Sequence, residues 1–385
     1  MRELLEIPMP VSGGRVDIYS GVARAHGKLW ATAVRPEDDR RELAAVLVHP
    51  TSNFMGHYAQ EPLARRGIAA VGMTTRYLGN DSALIMENCV LDVGAVVRYL
   101  KEVEGYRRVV LVGNSGGGGL VALYQSQASK PTITATPAGD PPDLTQADLP
   151  QADGLILLMA HPGRASTYTE WLDPAILDEN DPYGRDPELD LFNPENGPPF
   201  GPEFLARYRA AQLARNRRIT AWVRERLEYA TKTGRRELAD LPFVVHGTCA
   251  DPRFVDTSID PSDRAAGTLW GEAIVANNLP ATLGHFTSSR SWLSQWSIDD
   301  SQCNAALHLP AVTVPVLVVY GTADSAALPH HAQESYDAVP EGQRKLVALP
   351  GATHYFAGQP EQLERACDEI AGWLAAEGLA GRLDR

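Results

Sequence analysis

Short apolar runs alternate with longer stretches of helical spacing along much of this chain, the pattern of βα units built around a buried, mostly parallel sheet. Leu43 to His49 (LAAVLVH) reads as a near-continuous apolar strand, and Ile68 to Met73 (IAAVGM) as the next, after a helix around Glu61 to Arg66. Ala83 to Val103 has helical spacing, with Leu84, Cys89, Val93, Val96, Val97 and Leu100 on or near one face. Arg107 to Gly113 (RRVVLVG) predicts a strand, followed by a helix through Leu120 and Tyr124. Gly154 to Ala160, Val314 to Gly321 and Lys345 to Leu349 complete the sheet, and Glu361 to Ala375 is a closing helix. Before Pro36, the alternation in RVDIY and KLWATAV predicts antiparallel edge strands.

From about His161 to Asn304 the rhythm stops. Loops rich in Gly and Pro (ENGPPFGPE) precede a long helix from Pro202 to about Tyr229. The expected division is therefore a core of residues 1–160 and 306–385 with an insertion at 161–305. That insertion carries five of the seven tryptophans and six of the eight phenylalanines, which suits an apolar lid over a pocket. The same rings serve equally well as the insertion's own core. Its charges are segregated: Glu170 to Glu203 is acidic, whereas Arg207, Arg209, Arg215, Arg217, Arg218, Arg224 and Arg226 crowd the helix. Such a helix either attracts an anion or, the favoured reading, pairs with the acidic segment and faces solvent.

Composition narrows the class. The 385 residues are 44% hydrophobic and 22% charged, which fits a globular protein and excludes a disordered or fibrous chain. A formal net charge of −13 disfavours nucleic acid as a partner. No apolar window is long enough to span a bilayer, so no membrane association is expected. The opening MRELLEIPMPVSGG lacks the basic-then-apolar layout of a secretory leader. Cys89, Cys249, Cys303 and Cys367 are scattered without a CxxC pair, as expected of reduced thiols in a cytoplasmic protein.

The sharpest chemical signal is Gly113-Asn114-Ser115-Gly116-Gly117, a GxSxG sequence between an apolar strand and a helix. A turn this tight strains its central residue and lifts Ser115 clear of the sheet as a nucleophile. The bland alternative is a glycine-rich turn whose serine caps the helix. A serine needs a base, and a base needs a carboxylate to hold it. Asp324 follows the strand VPVLVVYG, and His354 follows KLVAL and the turn Pro350-Gly351, so both emerge at the edge that carries Ser115. Asp324 would fix the imidazole tautomer and His354 would shuttle the proton. Asp324 as a helix-capping loop residue is the competing reading. Among other histidines, His161 follows a strand end and could line the pocket. An oxyanion needs two N–H donors: the amide of Gly116, and one from the loop His49-Pro50-Thr51-Ser52-Asn53, where proline cannot donate. Thr51 is the first choice and Ser52 the next. Ser52, His161, Trp292 and Trp296 are the expected substrate contacts.

With these residues in place, the chain resembles the α/β-hydrolase superfamily: the GNSGG elbow, the HPTSN loop, the YGTAD acid turn and the GATHYF histidine turn follow in family order. The resemblance implies a mostly parallel sheet flanked by helices, a large and mainly helical cap at the insertion, Ser115 as nucleophile, Asp324 as acid and His354 as base, and Thr51 and Gly116 as oxyanion donors. Many members have His-Gly where this chain has His49-Pro50, which leaves the second donor open. Serine at the elbow argues against dehalogenases and epoxide hydrolases, which carry aspartate there. The expected activity is hydrolysis of an ester-type bond in a small, largely apolar or aromatic substrate. Alternatives on the same triad are cleavage of β-diketones, lactones, thioesters or amides, and a non-enzymatic alternative is a ligand-binding receptor. No metal or cofactor is indicated. An aromatic cap also offers a face for a homodimer.

Overall fold

The computed structural model describes residues 1–10, 27–38, 40–235, 240–280 and 282–380. The strand expected at RVDIY lies outside them. The strands, in chain order, begin with β1 (Arg2–Pro8), β2 (Lys28–Val34), β3 (Leu43–Val48), β4 (Ala69–Met73), β5 (Arg108–Ser115) and β6 (Gly154–Ala160). Four short ones follow: β7 (Ile176–Asp178), β8 (Asp181–Arg185), β9 (Pro242–Val244) and β10 (Phe286–Ser288). The series ends with β11 (Val316–Gly321) and β12 (Arg344–Leu349).

Two units make up the chain: residues 1–80, 86–163 and 303–385 form the first, and 81–85 with 164–302 the second. The first holds an eight-stranded sheet in the order β1-β2-β4-β3-β5-β6-β11-β12. KLWATAV is β2, antiparallel to β1 and to β4, whereas β4, β3, β5, β6, β11 and β12 run parallel. The apolar runs are continuous because both faces of the central strands are covered. Leu43, Ala45, Leu47, Val110, Val112, Ile156, Leu158, Leu317 and Val319 join one core with Leu63, Ile370, Trp373 and Leu374. The alternate residues Ala44, Val46, Val109, Leu111, Leu155 and Leu157 are just as buried. The helices are Gln60–Arg65, Met86–Glu102, Gly117–Ser129, Pro329–Ala338 and Pro360–Ala376.

The chain leaves the sheet after β6 and returns before β11 through paired segments. Gly163 forms a β-bridge with Asn304, and the Ala305 amide donates to the Pro162 carbonyl at 2.6 Å.

In the second unit a 31-residue helix, Pro202–Lys232, supplies the frame. Three of its arginines pair with the acidic segment before the helix, as the favoured sequence reading has it, and others pair with carboxylates that follow the helix in the chain. Arg207 meets Glu188, Arg215 and Arg218 meet Glu179, Arg209 meets Asp251, and Arg217 meets Asp299. Asp81–Ile85, which the sequence reading places in the core, belongs with this unit. The Asp81 carboxylate accepts from Arg164 at 3.3 Å, and its carbonyl accepts from Gln295 at 2.6 Å.

Candidate active site

Five chemistry-bearing residues sit at or just beyond the carboxyl ends of the parallel strands: His49 after β3, Ser115 at the end of β5, His161 after β6, Asp324 after β11 and His354 after β12. Sheet geometry alone therefore gathers them along one edge.

Ser115 has φ 54°, a left-handed conformation that a serine occupies only under constraint. The constraint is close packing of the turn. A Cβ on Gly113 would meet the Gly117 carbonyl oxygen at 2.5 Å, and one on Gly117 would meet the Val48 carbonyl oxygen at 2.0 Å. Only glycine fits at either place, so β5 and helix Gly117–Ser129 approach closely enough to force the bend at Ser115. Behind the turn, Asn114 is buried; its Nδ2 donates to Leu158 O at 2.8 Å and to Tyr58 Oη at 3.1 Å. The Asn114 Oδ1 faces His57 Nε2 at 3.4 Å, while His57 Nδ1 accepts from the Ala59 amide at 3.2 Å. Burial lowers the His57 pKa to about 4, so this imidazole is neutral near pH 7. Burial likewise pushes the Tyr58 hydroxyl well above its ordinary range, with Asp324 adding to the effect.

Asp324 divides its two oxygens. Its Oδ1 accepts from the amides of Ala326 at 2.7 Å and Ala327 at 3.0 Å, and its Oδ2 lies 2.7 Å from His354 Nδ1. The two readings of this residue, loop cap and partner of the base, describe different atoms of one carboxylate. Both side chains are almost fully buried. The loops that carry them are tied together: the Ala323 amide donates to Ala352 O at 3.1 Å, and the Gly351 amide to Thr322 Oγ1 at 2.8 Å. Gln359 braces the histidine loop, accepting from the Thr353 amide at 2.9 Å and donating to Gly351 O at 2.7 Å. With Nδ1 turned to Asp324, His354 Nε2 is left buried and without a hydrogen-bond partner among the described residues. Ser115 and His354 are thus not hydrogen-bonded to each other here, a looseness common before substrate binds.

The remaining candidates fall into two groups. Gly116 precedes helix Gly117–Ser129, where amides lack intrahelical acceptors. The amides of Thr51 and Ser52 both point to His49 Nδ1, at 3.1 and 2.9 Å. His161 is buried, donates its amide to Ser115 O at 3.3 Å, and places Nε2 3.6 Å from where a Gly116 Cβ would stand. Trp292 and Trp296 lie in the other unit, where Trp292 donates to Thr220 Oγ1 at 2.9 Å and both rings pack on Tyr168. The Arg164 guanidinium sits 4.3 Å from the centre of the Trp296 ring. These rings build that unit's interior.

Residues 45–366 match the model of the alpha/beta hydrolase family. The chain belongs to this family. That assignment supports hydrolase activity. No curated protein matches this hydrolase. Among solved structures, the alpha/beta hydrolase GrgF from Penicillium sp. sh18 is similar over 97% of this chain and 98% of its own, with 10% identity and a TM-score of 0.52. The esterase domain of a Rhodothermus marinus protein aligns over 97% and 98% with 12% identity and a TM-score of 0.48. A monoacylglycerol lipase from Paleococcus ferrophilus aligns over 91% and 99% with 14% identity and a TM-score of 0.47. At 10% identity the likeness to GrgF is one of fold. No helix among the described residues is long and apolar enough to cross a membrane.

Proposed function

We propose that this hydrolase cleaves a carboxylic ester of a small, largely apolar substrate through Ser115, His354 and Asp324. The observation that carries the reading is the Asp324 Oδ2 to His354 Nδ1 contact of 2.7 Å, which leaves His354 Nε2 buried and unpartnered among the described residues at the edge where Ser115 is held at φ 54°.

In the first half-reaction Ser115 Oγ adds to the ester carbonyl carbon while its proton passes to His354 Nε2. Asp324 stabilises the imidazolium by accepting from Nδ1. The Gly116 amide receives part of the oxyanion's charge. Collapse breaks the bond to the alcohol oxygen, which takes the proton from His354, and leaves an acyl-serine. Water, deprotonated by His354, then adds to the acyl carbon; a second collapse releases the acid and returns the proton to Ser115.

The insertion between β6 and β11 is the proposed selector of substrate. Its tryptophans pack on aromatic neighbours inside that unit, Trp292 and Trp296 on Tyr168, Trp171 on Phe254 and Trp270, and Trp222 on Phe243, so the ester class rests on the chemistry of the triad. The proposed location is the cytoplasm, where the four buried thiols Cys89, Cys249, Cys303 and Cys367 would stay reduced.

The test is reaction with a fluorophosphonate followed by peptide mapping, together with turnover of a panel of aryl esters, lactones and β-diketones. An adduct on Ser115 and preference for esters are expected. No adduct and no turnover would favour a binding protein. Faster release of a carbon acid from a diketone would move the activity to carbon–carbon cleavage.

A further inference from the structure

His49 is the first residue after β3, in the loop where this family places its second oxyanion donor, a backbone N–H. That arrangement is altered here. Residue 50 is proline and has no N–H, and the next two amides, of Thr51 and Ser52, are both directed at His49 Nδ1. A ring nitrogen that accepts two N–H groups carries no proton, so the proton of the neutral imidazole is on Nε2. The backbone of the loop thereby fixes the tautomer of its own histidine and turns an N–H outward from the ring.

That nitrogen lies beside Gly116, the residue that carries the first donor. A Cβ built on Gly116 would stand 3.2 Å from His49 Nε2, so the imidazole edge is against the residue whose amide opens the helix after Ser115. The ring is kept there by the tilted contact with Phe54, centroids 5.5 Å apart.

We propose that His49 is a catalytic residue, its Nε2–H replacing the loop amide as the second donor to the oxyanion. The inference rests on the triad reading above. As Ser115 Oγ adds to the carbonyl carbon, the oxygen gaining charge is received by the Gly116 amide on one side and by His49 Nε2–H on the other. The proline at position 50 and the engaged Thr51 and Ser52 amides then cease to be a defect of the loop. They are the means by which a side chain is pre-set for the task.

Glutamine and asparagine separate this role from loop anchoring. His49→Gln can extend an N–H to about the place of Nε2. His49→Asn can offer an acceptor near the place of Nδ1 but no donor beyond it. With aryl esters, His49→Ala and His49→Asn are expected to lose roughly 10²–10³ in kcat with little change in KM, and His49→Gln to stay within about tenfold of wild type. The inhibition constant of a trifluoromethyl ketone, which forms a tetrahedral adduct, should rise in step with the loss of kcat/KM. Rescue by asparagine and not by glutamine, or three variants with wild-type kcat, would overturn the proposal. A wild-type protein that neither labels at Ser115 nor turns over esters would remove the triad reading and this inference together. A wild type that labels, beside a flat His49 series, would remove this inference alone.

Discussion

The Cα of Gly117 lies so close to the Val48 carbonyl that a methyl group there would stand 2.0 Å from its oxygen. This approach joins the end of β3 to the start of the helix after Ser115, and it sets where the elbow can be. Gly117→Ala is therefore expected to cost about 3 kcal/mol or more, because the obstructing atom is backbone and cannot rotate away. Thermal melts of the purified variant check this; a melting temperature equal to wild type would mean the helix can slide.

Ser115 holds its left-handed conformation against the preference of its own side chain. Ser115→Gly removes that strain, while Ser115→Ala keeps it. Both variants should lose roughly 10⁴–10⁶ in ester turnover. The glycine variant should melt a few degrees above the alanine one, since about 1 kcal/mol of strain is relieved. Paired melts and rate assays on the two proteins decide it.

Asp324 allows its two tasks to be measured apart. Asn in its place still offers an oxygen to the Ala326 and Ala327 amides, so the turn should survive and the melting temperature should change little. The partner of His354 Nδ1 becomes neutral, and kcat should fall roughly 10⁴-fold. Asp324→Ala should lose both activity and stability.

His57 makes stability depend on pH. Its pKa of about 4 lies below the unfolded value near 6.5, so between those limits the unfolded chain binds a proton that the native one does not. Stability is fully present above pH 6.5 and falls by about 3 kcal/mol as pH drops to 4. His57→Gln should flatten that part of the profile, measured by urea unfolding at pH 4.5, 5.5 and 7.

Arg215 is buried in the second unit and joins Glu179 to the carbonyls of Asp173 and His246, at 2.5, 2.8 and 2.7 Å. Arg215→Met strands those acceptors and should cost about 3 kcal/mol. Chemical denaturation of the variant gives the value.

The sheet was readable from the chain because its central strands are buried on both sides and therefore apolar throughout. RVVLVGNSGGGG needed no tertiary knowledge, since a strand, a GxSxG turn and a helix are adjacent in sequence. His57, Tyr58 and Asn114 gave no such signal; their contacts join loops far apart, and a buried neutral histidine looks like any other. Gln359 is similarly invisible, being one polar residue before a helix. The tie of Asp81 to Gln295 spans 214 positions and has no periodicity to reveal it. His49 is the instructive case. A histidine followed two and three positions on by residues with free amides can bond its own loop, as Asp and Asn do, and that local chemistry was available from HPTSN.

The pairing of Gly163 with Asn304 means that the inserted polypeptide enters and exits through one doorway. Whatever is threaded between those two residues, the ends of β6 and β11 do not have to move to accept it. A laboratory chimera cut at the same two positions would exchange the inserted polypeptide and keep β6 and β11 as the borders of its replacement.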